Sequence, residues 1–216
     1  MRHYYLIVDT ETTKRGTVAD FGAVVINKQG DIIERFGAMV LGHFGKLPLF
    51  SDPAADPAAF WSEQSAQRRA KNYDDMLESG ERSIASPQLI NQWLTRINTQ
   101  YAPVLTAYNI AFDLGKCRNT RINLGIFRRS FCLMKAAKRQ IGQLAEYHDF
   151  CRTHGFLTAK LKRPSMTAET MSRYIFGADM ADEPHTALED AQFYEAPILA
   201  KILESVTRKQ LLELGK

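Results

Sequence analysis

Two acidic residues close the first apolar segment of the chain at a spacing that brings their side chains together. Asp9 and Glu11 end the run "HYYLIVDTE", and residues two apart in a strand point to the same face. Neighbouring carboxylates repel each other and raise each other's pKa unless a cation neutralises them. A hard divalent ion with oxygen ligands would do so, whereas two ordinary acids at a solvated strand end would need no ion.

Two further acids lie in the first turns of predicted helices. Asp113 lies in "YNIAFD", just after the apolar segment "VLTAY", and Asp190 lies in "PHTALEDA". An acid in the first turn compensates the helix dipole, which is a sufficient structural reason for either residue. Each acid is therefore ambiguous when it is considered alone.

The second of these helix entries also carries a histidine. Thr186 and Glu189 have the Ser/Thr-x-x-Glu spacing of a capping box, which predicts Thr186 as the N-cap. His185 and Asp190 then occupy the two positions where a helix entry usually pairs apolar side chains. An imidazole and a carboxylate at these positions suggest a catalytic pair, and an exposed helix start with a chance histidine is the structural alternative.

Taken in order, the three motifs resemble those of a nuclease family. "DTETT", "YNIAFD" and "HTALEDA" are similar to the motifs of the DEDDh group of DnaQ-like 3′–5′ exonucleases. The resemblance spans residues 4–200, with 42–85 poorly matched, and histidine rather than tyrosine at position 185 indicates the DEDDh branch. It implies a ribonuclease H-like fold and two Mg²⁺ or Mn²⁺ ions held by four carboxylates, Asp9, Glu11, Asp113 and Asp190.

The resemblance also implies an activity. The chain would remove nucleotides from the 3′ ends of single-stranded nucleic acid, with DNA slightly favoured over RNA, by a two-metal-ion hydrolysis. His185 would accept the proton of the attacking water as general base, and a free histidine pKa of about 6.5 suits that role at neutral pH. A 3′–5′ exoribonuclease, an inactive nucleic-acid-binding module and an endonuclease are the alternatives. The presence of all five residues disfavours the inactive module, and His185 near Asp190 disfavours the endonuclease.

Other positions of the family pattern predict contacts to the terminal nucleotide. These are the backbone of Thr10 and the side chains of Thr12, Asn109 and Phe112. A core position suits Phe112 equally well. The chain departs from the family at Lys14, where glycine is common, and at Tyr108, where histidine is common. Both departures bear on substrate preference.

The remaining binding features are less specific. A basic loop contains Lys160, Lys162 and Arg163, which either contact phosphates or are simply solvated. Phe60 and Trp61 either stack on a base or anchor a surface helix. Three residues spaced by three are short of the four ligands of a closed zinc site, which favours a structural role for His148, Cys151 and His154.

Composition limits the class of protein. The chain has 216 residues, 45% apolar and 24% charged, with a net charge of +4, which is typical of a globular domain with a mild attraction to polyanions. We predict one exonuclease domain over 1–216, with a surface insertion at about 42–85. The opening apolar run is short for a signal peptide and no run is long enough to span a membrane, so we expect a cytoplasmic protein. A homodimer is left open.

Apolar periodicity predicts the elements that would position these residues. Residues 3–11, 17–27 and 31–41 read as an antiparallel meander, and helices alternate with short strands from Ser86 onwards. Pro197 predicts a kink or restart in the final helix, which follows Thr186. The result is an α/β fold with a mixed five-stranded sheet flanked by helices.

Overall fold

The strands predicted at the start of the chain form the centre of a mixed sheet. The computed structural model describes residues 3–56 and 61–216, and within them the strands are β1 (Tyr4–Thr12), β2 (Val18–Asn27), β3 (Ile32–Val40), β4 (Ser83–Ala85), β5 (Val104–Ala107) and β6 (Ser130–Cys132). Their order across the sheet is β4-β3-β2-β1-β5-β6. Strands β1 to β3 are the expected antiparallel meander, and β5 and β6 run parallel to β1. The predicted α/β class and mixed sheet are therefore confirmed.

The predicted strand count of five is one too low. The additional strand is β4, which extends the sheet at its β3 edge by parallel pairing of Ser83–Ala85 with Ala38–Val40. Three residues are too few to show the alternation by which a strand is recognised. Its partner strand alone holds it in place, so no local pattern could indicate it.

Helices cover both faces of the sheet. They are α1 (Glu63–Glu78), α2 (Pro87–Tyr101), α3 (Ile110–Asn119), α4 (Leu133–Gln140), α5 (Ala145–His154), α6 (Ala168–Phe176), α7 (Ala187–Glu189), α8 (Ala196–Leu203) and α9 (Arg208–Leu214). Alternate residues of β1 face opposite layers: Leu6 and Val8 pack with α2 and α3, and Tyr5 and Ile7 pack with the helices from α4 onwards. Burial on both faces explains why β1 and β2 are almost continuously apolar.

The last predicted helix is interrupted where proline indicated a restart. Asp190–Glu195 form a π-helical turn between α7 and α8, in which the Ala196 N–H donates to the Ala191 carbonyl. Pro197 has no N–H to donate, so the helix cannot continue its regular bonding pattern through this position. The sequence prediction did not include α9, which begins after Thr207 with a complete capping box to Gln210.

Segment 42–85 packs against the meander. Tyr73 and Met76 of α1 are buried together with Leu49, Ala19 and Met39. Phe60 lies outside the described residues, and the ring of Trp61 meets that of Phe50 edge-on at 5.4 Å. The description of this segment as an insertion stays a prediction, as does a homodimer. In the described part of the chain, no helix has the length and apolar character needed to cross a membrane.

Candidate active site

The four predicted metal-binding carboxylates meet at the end of β1. Burial, followed by the charges of neighbouring carboxylates that include Asp113, Asp190 and Glu11, raises the pKa of Asp9 well above its usual range. The Thr10 hydroxyl donates to Oδ1 of Asp113 over 2.8 Å, which fixes α3 against β1. The structure thus brings together acids from three distant motifs, as the motif order predicts.

Burial dominates the protonation of these acids in the metal-free protein. It raises the pKa of Glu11 to about 8, against the opposing charge of Arg69. It raises the pKa of Asp113 to about 7, against the hydrogen bond from Thr10. A bound cation would therefore compete with protons for these carboxylates near neutral pH.

These shifts predict that the metal-free protein loses stability as pH rises. Glu11 and Asp113 titrate near 4 when unfolded, so between about pH 4 and pH 8 the folded state binds more protons and the unfolding free energy falls with pH. In EDTA, we expect a lower Tm at pH 8 than at pH 5.5, by about 2–4 °C for each kcal/mol lost. Thermal unfolding across this range is the measurement. A Tm that rises over the same range would contradict the burial of these acids.

Arg69 is a functional candidate that the sequence reasoning missed. It lies in α1, and its Nη1 forms an ion pair with Oε2 of Glu11 over 3.1 Å, with both side chains largely buried. Its Nη2 donates to the Phe50 carbonyl over 3.0 Å. Segment 42–85 therefore places a cation at the acidic site. No motif indicates this pair, because its members are 58 residues apart and meet only in the folded chain.

His185 lies beside the carboxylates in an unusual backbone conformation. Its φ of 55° is left-handed, which histidine adopts more readily than most residues. The Tyr73 hydroxyl donates to its carbonyl over 3.3 Å. Burial, and then the charge of Arg69, lower its pKa to about 4. The free-histidine value of about 6.5 is therefore wrong for this site, and the imidazole is neutral at pH 7 and able to accept a proton.

The helix entry after His185 is capped differently from the prediction. Thr186 is the N-cap, but the capping box is absent among the described contacts, since the Thr186 hydroxyl donates to the Glu189 carboxylate instead. Asp20 of β2 accepts the Ala187 N–H over 2.8 Å. Arg82 forms ion pairs with both Asp20 and Glu189. Tertiary partners thus take over the roles that the local motif would have filled.

A pair of glycines brings this helix entry onto the sheet. Gly22 of β2 lies opposite Gly37 of β3 and, on its other side, opposite Asp9 of β1. A Cβ on Gly22 would lie 2.2 Å from the Ala187 carbonyl carbon, and one on Gly37 would lie 2.9 Å from Cβ of Leu188. The main chain of α7 therefore rests directly on β2, in a groove that only two unsubstituted positions can provide.

The predicted nucleotide-binding residues surround this site unequally. Thr10 and Thr12 are buried, and Asn109 is an exposed N-cap. Phe112 is 42% exposed, with the Lys116 ammonium 4.8 Å from its ring centre. A core position for Phe112 is therefore wrong, and its face is accessible to a ligand.

The two departures from the family pattern already have partners. Lys14 pairs with Glu63 of α1 over 3.0 Å, and the Tyr108 hydroxyl hydrogen-bonds the Met166 carbonyl. The basic loop containing Lys160 and Lys162 is exposed. Among the described residues, His, Cys and acidic side chains gather closely enough to hold a metal only at Glu11, His185 and Asp190, which leaves His148, Cys151 and His154 in a structural role.

Two more acids near the site were not predicted. Burial raises the pKa of Glu183 to about 7, and Glu183 in turn raises the pKa of Asp190. Glu195 is the carboxylate with the largest effect on the pKa of Asp9. Neither position belongs to a recognised motif. The spacing of Glu195 from Asp190 would place the two on different faces of a regular helix.

The fold is that of known ribonuclease H-like nucleases. No model of a protein family and no curated protein sequence matches the chain. Solved structures do match, at 14–15% identity over 99% of this chain: a product-bound exonuclease I (TM-score 0.54), E. coli exonuclease I with a 5cy-dT13 oligonucleotide (0.54), and the zinc-bound E. coli ExoI–ssDNA complex (0.50). The chain spans 46%, 42% and 42% of those chains, less than half of each. The ribonuclease H-like fold expected from the motifs is thereby confirmed.

Proposed function

We propose that this chain is a metal-dependent 3′–5′ exonuclease that acts on single-stranded nucleic acid, with DNA slightly favoured. The observation that carries the proposal is the meeting of the acids from three motifs beside His185, at the end of β1. The order of those motifs is that of the DEDDh exonucleases. Exonuclease I, which shares the fold, has been solved with product and with single-stranded DNA, and this supports the substrate class.

The residues fit a centre for hard divalent ions. Oδ1 of Asp190 is buried and has no hydrogen-bond partner within residues 3–56 and 61–216. Candidate ligand atoms of Glu11, His185 and Asp190 lie within 4.8 Å of one another. The predicted ligands are carboxylates, which suit Mg²⁺ or Mn²⁺: Asp9, Glu11, Asp113 and Asp190. When bound, two such ions would stabilise the negative charge that develops on the scissile phosphate.

His185 is the proposed general base. Its lowered pKa keeps the imidazole neutral at pH 7, so a ring nitrogen is available to take the proton of an attacking water. The Tyr73 hydroxyl and the left-handed backbone hold the residue at the helix entry. The exposed ring of Phe112 is placed to stack on the terminal base, and Thr12 and Asn109 are proposed to contact the same nucleotide.

Degradation of labelled strands tests the activity and its polarity. We expect 5′-labelled single-stranded DNA to shorten stepwise with Mg²⁺ or Mn²⁺, and EDTA to stop the reaction because the carboxylates then lack their ions. A 3′-phosphate should block degradation and a blocked 5′ end should not. RNA of the same sequence, run in parallel, measures the preference.

Each alternative function has its own outcome in this assay. Internal fragments from a circular single strand would indicate an endonuclease. Faster degradation of RNA than of DNA would favour an exoribonuclease of the same family. Binding of the strand without any metal-dependent release of nucleotides would indicate an inactive binding module and would contradict the proposal.

A further inference from the structure

Glu195 is a buried acid outside the predicted set of metal ligands. Its side chain belongs to a residue that is 2% exposed, and the Tyr108 backbone N–H donates to its carboxylate. The other oxygen, Oε2, has no hydrogen-bond partner in the described part of the chain. A buried carboxylate with an unpaired oxygen is costly unless a further group satisfies it.

The unpaired oxygen belongs to a side chain that reaches the proposed metal ligands. Glu195 acts on the pKa of Asp9 more strongly than any of the other three ligands does. Asp113 is the charge that acts most strongly on Glu195 itself, followed by Glu183. No cation of the described chain stands among the principal charges acting on Glu195. The electrostatic environment of this residue is therefore one of uncompensated negative charge.

The π-helical turn explains how Glu195 reaches the site. Residues five apart in an α-helix differ by about 140° around the axis, because each residue advances by about 100°. In a π-helix the hydrogen bonds join residues five apart, which brings such residues close to alignment. Asp190 and Glu195 are the first and last residues of this turn. The turn thus presents two acids of one helix to the same site, and π-helical turns are frequent at functional sites.

We propose that Glu195 is a fifth carboxylate ligand of the metal centre, which binds a divalent cation together with Asp9 and Asp113. The inference rests on the proposed function, since it requires that the acidic site binds metal. The cation would satisfy the unpaired oxygen and neutralise charge that no basic side chain reaches. The Tyr108 N–H would hold the carboxylate in place in the presence and in the absence of the ion.

Replacing Glu195 with glutamine tests this assignment. Glu195→Gln keeps the size of the side chain and an oxygen to accept from Tyr108, and it removes the charge. Without metal, we expect a higher Tm than in wild type, because repulsion with Asp9 and Asp113 is relieved. We also expect Mn²⁺ affinity to fall by about 10-fold or more, and the rise in Tm on adding Mn²⁺ to shrink accordingly.

Calorimetric Mn²⁺ titration and thermal unfolding with and without Mn²⁺ measure these changes. Glu213→Gln, an exposed substitution in α9, is the matched control and should leave both quantities unchanged. Should Glu195→Gln fail to fold, Glu195→Asp keeps the charge but shortens the side chain, and it should also lower Mn²⁺ affinity.

The outcomes separate this inference from the proposed function. Wild-type Mn²⁺ affinity and a wild-type rise in Tm in Glu195→Gln would overturn the assignment and leave Glu195 as a protonated acid held by Tyr108. In that case the proposed nuclease would stand. Absence of Mn²⁺ binding by the wild-type protein would overturn both the metal-dependent function and the fifth ligand.

Discussion

Replacing His185 with alanine is expected to lower the rate of nucleotide release by about 10²–10⁴-fold, the scale of general-base catalysis. The substitution removes the neutral imidazole but none of the four predicted carboxylate ligands. Mn²⁺ and single-stranded DNA should therefore still bind with near wild-type affinity. Single-turnover kinetics, measured beside calorimetric Mn²⁺ titration, would separate the chemical step from binding.

Two further variants make this result specific to the imidazole. Alanine disfavours the φ of 55° found at this position, whereas asparagine accepts a left-handed backbone, so His185→Asn should be equally slow without backbone strain. His154→Ala, an exposed substitution in α5, should keep the wild-type rate. A nitrogen of His185 lies within 4.8 Å of ligand atoms of Glu11 and Asp190. Loss of Mn²⁺ affinity in both His185 variants would therefore identify the residue as a metal ligand instead of the base.

Asp190→Asn is expected to fail at metal binding itself. The substitution removes the charge of a buried carboxylate whose Oδ1 has no hydrogen-bond partner in the described chain, so Mn²⁺ affinity should fall by about 10²-fold or more. Activity at low Mn²⁺ should be lost and should return in part at high Mn²⁺. Calorimetry and the Mn²⁺ dependence of the rate are the measurements.

A matched surface substitution controls for the loss of one acid. Asp149→Asn in α5 removes a carboxylate whose side chain is 69% exposed and should change neither Mn²⁺ affinity nor rate. Asp190→Asn should remain folded, since the Asp20 contact that caps α7 does not involve position 190. Wild-type Mn²⁺ affinity in Asp190→Asn would contradict its assignment as a ligand.

Long periodic segments of this fold could be predicted from the sequence, and short tertiary ones could not. Strands β1, β2 and β3 each have nine or ten residues with apolar character throughout, which identifies them without knowledge of their neighbours. Ser86 caps α2 as predicted, by accepting from the Leu89 N–H. Thr186 does not form its predicted capping box, because Asp20 and Arg82 reach the same groups from elsewhere in the chain.

The candidate site shows the same division. The motifs identified acids that the fold brings together, because each motif combines a residue type with a recognisable helix or strand end. Arg69 and Glu195 reach the site from positions with no such signature, one through α1 and the other through a π-helical turn. The pKa of His185 depends on burial and on Arg69, and both are properties of the folded chain alone.

The glycine groove makes the spacing of the site a matter of main-chain contact. Because α7 rests on β2 at Gly22, with the Ala187 carbonyl carbon 2.2 Å from where a Cβ would be, no side chain there can rotate to absorb a change. Any substituent would act as a wedge that lifts His185 and Asp190 together away from Asp9. A residue without functional groups thus sets the calibration of the catalytic distances, and its mutational tolerance should be narrower than that of the residues it positions.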